Sequence, residues 1–366
     1  METRNKVILG SLAAGTAVAG AALGLGAFFA GRRLFNQIQQ WRSHGLESSG
    51  LSGEDLRGKT VLITGSSRGL GLAMAEEFAR HGCKVVLCAR DEQELARARD
   101  QVSRLGAEVE AVTCDVGDEQ QAQHAVAEAR RRFGRVDILV NNAGIISVGP
   151  ILTQTLDDFR EAMDVMFWGT VYPTLAVLPE MVERHQGRIV NITSIGGKVS
   201  VPHLVPYGCA KFAAVGFSEG LYAELKKYGV HVLTVVPGLM RTGSHLNDQF
   251  KGKHEKEYGW FALSGTNPLF SISVERAARQ IVNATRRKQP ELVISWQAEL
   301  LARSHGIAPE LTLRALAMVN HLLPAAEGAS AQKKSGKESQ SAVTRSPLTA
   351  LGERAARRYN QTGEIA

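Results

Sequence analysis

The stretch Thr64-Gly65-Ser66-Ser67-Arg68-Gly69-Leu70-Gly71 follows a short β-branched run, residues 60–64, and leads into a run of helical periodicity, residues 69–80. Glycines at 65, 69 and 71 allow a tight turn, close backbone approach to a pyrophosphate and close helix packing, while the N-terminus of the following helix favours negative charge. A glycine-rich loop alone says little. Set between a strand and a helix in an alternating chain, it points to dinucleotide binding.

The alternation extends outward from this loop. Further strand-like runs fall at 84–89, 108–113, 136–140, 188–193, 231–236 and 291–295, with helical runs at 91–105, 119–132, 156–183, 207–227 and 274–287 between them. Near-continuous apolar strands such as VDILV and HVLTVV are buried on both faces, which requires a parallel sheet covered by helices. With right-handed crossovers the expected fold is α/β, a Rossmann-type doubly wound parallel sheet in a single domain. Two regions break the pattern. Residues 239–273 are long and contain Phe250, Tyr258, Trp260, Phe261 and Phe270, which reads as a binding lid. Residues 296–325 carry apolar residues at helical spacing and read as one more packing helix, with a membrane-contacting amphipathic element as the alternative. Beyond Pro324 the composition turns to Ser, Lys, Gly, Gln and Ala, so 326–366 reads as a disordered tail.

Of the 366 residues 44% are hydrophobic and 22% charged, enough to bury a sizeable core. The net charge of +7 sits at the ends: residues 1–45 carry +4 and 327–366 carry +3, leaving 46–326 balanced at 31 basic against 31 acidic groups. A neutral folded part removes the electrostatic argument for nucleic-acid binding; basic ends suit an anionic membrane surface. The four cysteines, Cys83, Cys88, Cys114 and Cys209, form no C-x-x-C pair and no cluster with His. Neither a metal site nor a disulfide framework is indicated, and reduced thiols in a cytosolic setting are expected.

From Val7 to Gly31 there are 25 residues without a charge, flanked by Arg4 and Lys6 before and Arg32 and Arg33 after. That length spans a bilayer as a helix. Ala17-Val18-Ala19 also fits a signal-peptide cleavage pattern, but the apolar run continues to Ala30, which reads as an uncleaved single-pass anchor. The basic residues after the span place the large domain on the cytoplasmic side. The expected organisation is an anchor at 1–33, a linker at 34–56, a catalytic domain at 57–325 and the tail.

The loop spacing is G-x-x-x-G-x-G. With it go Asp115 after the third strand, Asn141-Asn142-Ala143-Gly144 after the fourth, Ser194 after the fifth, Tyr207-Gly208-Cys209-Ala210-Lys211, and Pro237-Gly238 with Thr242 after the sixth. Six motifs in this order over about residues 58–295 resemble the short-chain dehydrogenase/reductase family. The resemblance implies an NADP(H)- or NAD(H)-dependent oxidoreductase with Ser194, Tyr207 and Lys211 as catalytic residues. It implies cofactor contacts from Gly65, Ser67, Arg68, Gly69, Leu70, Gly71, Arg90, Asp115, Val116, Asn142, Ala143, Gly144, Tyr207, Lys211, Pro237, Gly238 and Thr242.

Tyr207 and Lys211 are four apart and share a helix face. A phenol with pKa about 10 is a poor acid or base near neutrality, and a neighbouring ammonium lowers that pKa. Tyr207 is then the proton donor or acceptor for the substrate oxygen, with Ser194 hydrogen-bonding that oxygen and, by resemblance, Lys211 holding the nicotinamide ribose. One position departs from the family pattern: Met166 stands where an Asn is usual, and a thioether cannot replace an amide's hydrogen bonds. Cofactor choice rests on Cys88-Ala89-Arg90, with Ala where an NAD-binder carries Asp, and on Arg68 in the loop. Together the two arginines favour NADP(H) over NAD(H). Gly216-Phe217-Ser218-Glu219-Gly220 fits a hydrolase pattern but lies inside a helical run, not at a strand-to-helix turn, and is read as chance.

The leading expectation is a membrane-anchored oxidoreductase interconverting a ketone and a secondary alcohol on a hydrophobic, lipid-, steroid- or ketoacyl-like substrate, as a homodimer or homotetramer. The alternative is a catalytically impaired NADP-binding sensor or scaffold attached to the membrane. Full-length protein should stay in the membrane pellet through high-salt and carbonate washes; its recovery in the soluble fraction would overturn the anchor.

Overall fold

Five buried residues in a row, Thr60–Thr64, make the first strand, and the alternation that follows it organises the whole chain. The computed structural model describes residues 53–326, 328, 330–341, 344 and 349–362. The expected span at Val7–Gly31 and most of the linker lie outside these residues. The chain runs β1 (Thr60–Thr64), α1 (Gly69–Arg80), β2 (Lys84–Ala89), α2 (Glu92–Ser103), β3 (Val109–Thr113), α3 (Glu119–Phe133) and β4 (Ile138–Asn141). It continues through β5 (Ser147–Val148), α4 (Leu156–Met163), α5 (Gly169–Glu183), β6 (Gly187–Ile192), α6 (Val205–Leu225) and β7 (Val230–Pro237). An inserted stretch, β8 (Met240–Arg241), β9 (Gln249–Gly252), α7 (His254–Thr266) and β10 (Ile272–Ser273), precedes α8 (Val274–Arg286) and β11 (Glu291–Ile294). Last come α9 (Trp296–Ile307), α10 (Pro309–Asn320), β12 (Ser330–Ser335) and α11 (Ala350–Arg358).

The central sheet has seven parallel strands in the order β11-β7-β6-β4-β1-β2-β3. Strand side chains alternate between two apolar layers. Val61 and Ile63 pack with α1, α2 and α8 on one face, and Leu62 packs with α3, α5 and α6 on the other. Connections run outward in opposite directions from β1 and from β4, so the loops after these two neighbours diverge and leave a crevice at the sheet's carboxyl edge.

The last crossover differs from expectation. From β4 to β6 to β7 the chain advances across the sheet with α5 and α6 on one face; from β7 to β11 it advances the same way, yet α8 lies on the opposite face. That connection has the opposite hand to its predecessors. The handedness rule reflects how a short connection folds back from a twisted strand; here the residues between β7 and α8 carry the chain around the sheet edge first.

Three further boundaries differ from the sequence reading. The helical run 156–183 is interrupted by a π turn at Asp164–Trp168. Among the described residues it is the one helix long and apolar enough to cross a membrane, but half of its apolar window is buried, with Val177 and Met181 in the core. The end of the expected linker belongs to the domain: Leu56 is wholly buried, and Glu54 pairs with Arg188 and Lys288. The tail is not structureless in its described parts. Its polar composition hid β12, which pairs antiparallel with β9, and α11, whose Ala356 and following Tyr359 are buried. A strand that adds to an existing edge needs backbone hydrogen bonds more than apolar side chains, so composition is a poor guide to it.

Candidate active site

The glycine-rich loop is tied to β4 by side-chain hydrogen bonds. Asn142 Nδ2 donates to the carbonyls of Thr64 (3.0 Å) and Gly65 (2.9 Å), and the Asn142 N–H donates to Thr64 Oγ1 at 2.9 Å. A Cβ on Gly71 would lie 2.2 Å from the Gly65 carbonyl oxygen, so only glycine lets α1 begin this close to the turn. No side chain caps α1. The Gly69 N–H is taken by the Tyr359 carbonyl at 2.9 Å, while those of Leu70 and Gly71 have no acceptor among the described residues, an arrangement that suits a phosphate.

One cavity of about 670 Å³ lies along the carboxyl edge, and every residue named from the sequence as catalytic or cofactor-binding lines it. Gly65, Ser67, Arg68, Gly69, Leu70 and Gly71 form one end. Asn142, Ala143 and Gly144 form the floor; Pro237, Gly238 and Thr242 form the wall beside Ser194, Tyr207 and Lys211. Asp115 and Val116 come from the loop after β3, and Arg90 from the end of β2.

Ser194 caps a short 3-10 turn, accepting from the Gly196 N–H at 3.0 Å, and its Oγ and the Tyr207 ring crowd the same side of Gly196, 3.4 and 3.0 Å from where a Cβ would stand. Tyr207 lies in the first turn of α6 with Lys211 one turn on; the Lys211 ammonium donates to the Ile192 carbonyl at 2.9 Å and lies 5.9 Å from the Tyr207 ring centre. Burial raises the Tyr207 pKa to about 12, against which the Ser194 hydroxyl works, while a nearby Asp248 raises it further. Burial also lowers Lys211 to about 8. The sequence expectation that an ammonium neighbour would lower the tyrosine pKa is thus reversed: loss of hydration acts on both groups and disfavours phenolate and ammonium alike.

Met166 sits in the π turn, 1% exposed, packed with Tyr207 and Ala210. It does not line the cavity, and its carbonyl accepts from Thr170 Oγ1 at 2.9 Å. The two arginines expected to clamp a 2′-phosphate do reach the cavity, but each faces a carboxylate: Arg68 pairs with Glu94 at 3.0 Å and Arg90 with Asp115 at 3.7 Å. Glu94 also accepts from Ser67 Oγ at 3.1 Å.

The structure adds residues that sequence reasoning missed. Gly196 carries the Tyr207 ring so closely that a Cβ would lie 3.0 Å from Cε1. Glu94 gave no signal because it looks like an ordinary first-turn helix acid. Asp248, in the inserted stretch, lines the cavity and is driven by burial up to about 8, with Arg68 and the Ser244 hydroxyl pulling it back. Of the lid aromatics, Phe250 and Tyr258 pack inside the insertion, whereas Trp260 and Phe261 reach the cavity wall.

The family model for short chain dehydrogenases matches residues 59–251. The chain is 33% identical over 291 residues to dehydrogenase/reductase SDR family member 7B of Rattus norvegicus, covering 78% of this chain and 85% of the relative. It is 40% identical over 188 residues to oxidoreductase UcpA of Salmonella typhimurium, covering 51% and 71%. Among solved structures it is similar to L-sorbose reductase from Gluconobacter frateurii complexed with NADPH and L-sorbose (27% identity, TM-score 0.58, 65% of this chain and 95% of that one). It is also similar to a short-chain type dehydrogenase/reductase from Mycobacterium marinum (26% identity, TM-score 0.57, 66% and 94%).

The raised Asp248 pKa has a consequence for stability. Between its ordinary value near 4 and about 8, the folded state holds a proton that the unfolded state has released, so this residue lowers stability as pH rises through that window. Asp248→Asn should therefore gain little in melting temperature at pH 4 and most at pH 8. A gain independent of pH would show that Asp248 is not held protonated.

Proposed function

The chain belongs to the short-chain dehydrogenase family, and from that premise we propose that it is an NADP(H)-dependent oxidoreductase interconverting a ketone and a secondary alcohol. The observation that carries this is the convergence of Ser194, Tyr207 and, one turn on, Lys211 in the same cavity as the glycine-rich loop.

The nicotinamide, when bound, exchanges hydride with the carbonyl carbon. In the reductive direction Tyr207 Oη delivers the proton to the substrate oxygen, and Ser194 Oγ holds that oxygen as charge develops. With burial keeping the phenol neutral across the physiological range, Tyr207 is loaded as a donor. Lys211, anchored on the Ile192 carbonyl, stands ready to hold the nicotinamide ribose. Ala89 in place of an acid, with Arg90 and Arg68 at the rim, supports NADP(H) over NAD(H); Arg90 is the freer of the two, its side chain 59% exposed. The solved relative complexed with NADPH agrees with this choice.

Ile145, Ile146, Val201, Leu204, Trp260 and Phe261 along the cavity support a substrate with a hydrophobic body, and Asp248 marks where a polar substituent would sit. The apolar, base-flanked run at 7–31 supports a single-pass membrane protein with its catalytic domain toward the cytoplasm, consistent with a lipid-like substrate. Trp168, Leu175 and Phe212, exposed apolar groups on the long helices, support a homodimer or homotetramer. A second reading, an NADP-binding sensor with impaired turnover, draws on Met166 alone.

NADPH oxidation followed at 340 nm against a panel of hydrophobic ketones should show turnover that Tyr207→Phe reduces by a factor of about 100 or more. Tight NADPH binding without turnover on any ketone would favour the sensor. Arg90→Asp should weaken NADPH binding at least tenfold more than NADH binding; equal losses would remove the NADP(H) preference.

A further inference from the structure

The end of the chain is seated on the glycine-rich loop. Tyr359 is 1% exposed within the main core, and its carbonyl accepts from the Gly69 N–H at 2.9 Å. Asn360, in the left-handed region (φ 57°) that asparagine tolerates, is 6% exposed. Its Nδ2 donates to the carbonyls of Ser67 and Glu94, both at 3.0 Å, and its Oδ1 accepts from Arg97 Nε at 3.0 Å. Gln361, 3% exposed, is held from the other side: Asn247 Nδ2 donates to its backbone carbonyl at 3.0 Å and to its Oε1 at 2.7 Å. Ala356 packs on Gly243 so closely that a Cβ there would lie 2.5 Å from the Ala356 Cα. The segment thus bridges the two walls of one crevice, from the insertion after β7 to the loop before α1.

Two observations point to a ligand beneath it. Gln361 lines the cavity together with the glycine-rich loop. Its Nε2 lies 2.8 Å from where a Gly69 Cβ would stand and, among the described residues, donates to no protein acceptor, although its Oε1 is fixed by Asn247. A fixed amide donor beside the Leu70 and Gly71 N–H groups, which have no acceptor among the described residues, is a site for an anionic oxygen. Of residues 359–361 only Gln361 lines the cavity of about 670 Å³, so the segment borders the site.

We propose that residues 359–361 are a cofactor-binding strap: Gln361 Nε2 donates to the diphosphate of the bound dinucleotide, and Asn360 is a positioning residue that holds the loop and the strap together. This rests on the dinucleotide reading above. The strap closes over the adenosine diphosphate half, so the dinucleotide enters and leaves only when the strap lifts.

The test is NADPH binding by the full-length protein, read by fluorescence as an equilibrium constant and by stopped flow as association and dissociation rates. Gln361→Glu keeps the shape and the Asn247 bond but aims a carboxylate at the phosphates. It should raise the NADPH Kd at least tenfold with an unchanged melting temperature, and Gln361→Ala should raise it about tenfold. Asn360→Ala should speed both association and dissociation, which a merely structural role would not do. Unchanged binding in both Gln361 variants would overturn the proposal, and tighter binding would make the tail a competitor of the cofactor. Failure of the wild-type protein to bind NADPH or NADH would sink the dinucleotide reading itself, and the strap with it.

Discussion

The Asn142 carboxamide, bonded to the carbonyls of Thr64 and Gly65, is the contact on which the site depends. β1 and β4 are parallel neighbours that end at the same edge, and the chain leaves them in opposite directions. Such a divergence opens a crevice but leaves carbonyls at the strand ends without ladder partners, and a buried unpaired carbonyl is costly. One asparagine satisfies two of them and, in doing so, pins the turn from which α1 starts, with the Leu70 and Gly71 N–H groups left without an acceptor among the described residues. A second polar chain, Asn141 to Asn191 to Ser218 to Thr234, with bonds of 2.7 to 2.9 Å, stitches β4, β6, α6 and β7 beneath the same edge. It fixes α6, and with it Tyr207 and Lys211, against the strands that carry Ser194.

Burial then sets the chemistry. Tyr207, Lys211 and Asp248 lie in or beside a cavity where loss of hydration outweighs each attraction, and all three are pushed toward their neutral forms. A neutral phenol is a competent proton donor, and a lysine near 8 changes charge easily when an anionic partner arrives. The arginines follow the opposite logic. They stay charged whatever their surroundings, so each is matched by a carboxylate, Glu94 or Asp115, that an incoming phosphate would have to displace or share.

The insertion after β7 does more than cover the cavity. By carrying the chain around the sheet edge it reverses the hand of the last crossover and places α8 beside α1. It also supplies β9, on which β12 assembles, and the Asn247 and Gly243 surfaces on which the final residues lie. The loop at 65–71 and the segment at 359–361, 293 residues apart at Ser67 and Asn360, therefore meet directly, and the segment also rests on the insertion that walls the site.

The parallel sheet, its strand positions, the glycine-rich loop and the set Ser194, Tyr207 and Lys211 were legible in the residues, because period, turn glycines and motif spacing are local properties that the backbone must obey wherever the chain goes. Other features were decided only in three dimensions. Glu94 and Gln361 are unremarkable in their own segments and reach the cavity because distant elements bring them there; β12 is polar and exists through pairing with β9; the direction of the Tyr207 and Lys211 pKa shifts depends on how much water the surrounding fold removes. The sequence determined what the sheet is built from and where its edge chemistry lies. Tertiary structure decided which charges meet, how deeply they are buried and what closes over them, since hydration and long-range contact are properties of the assembled fold.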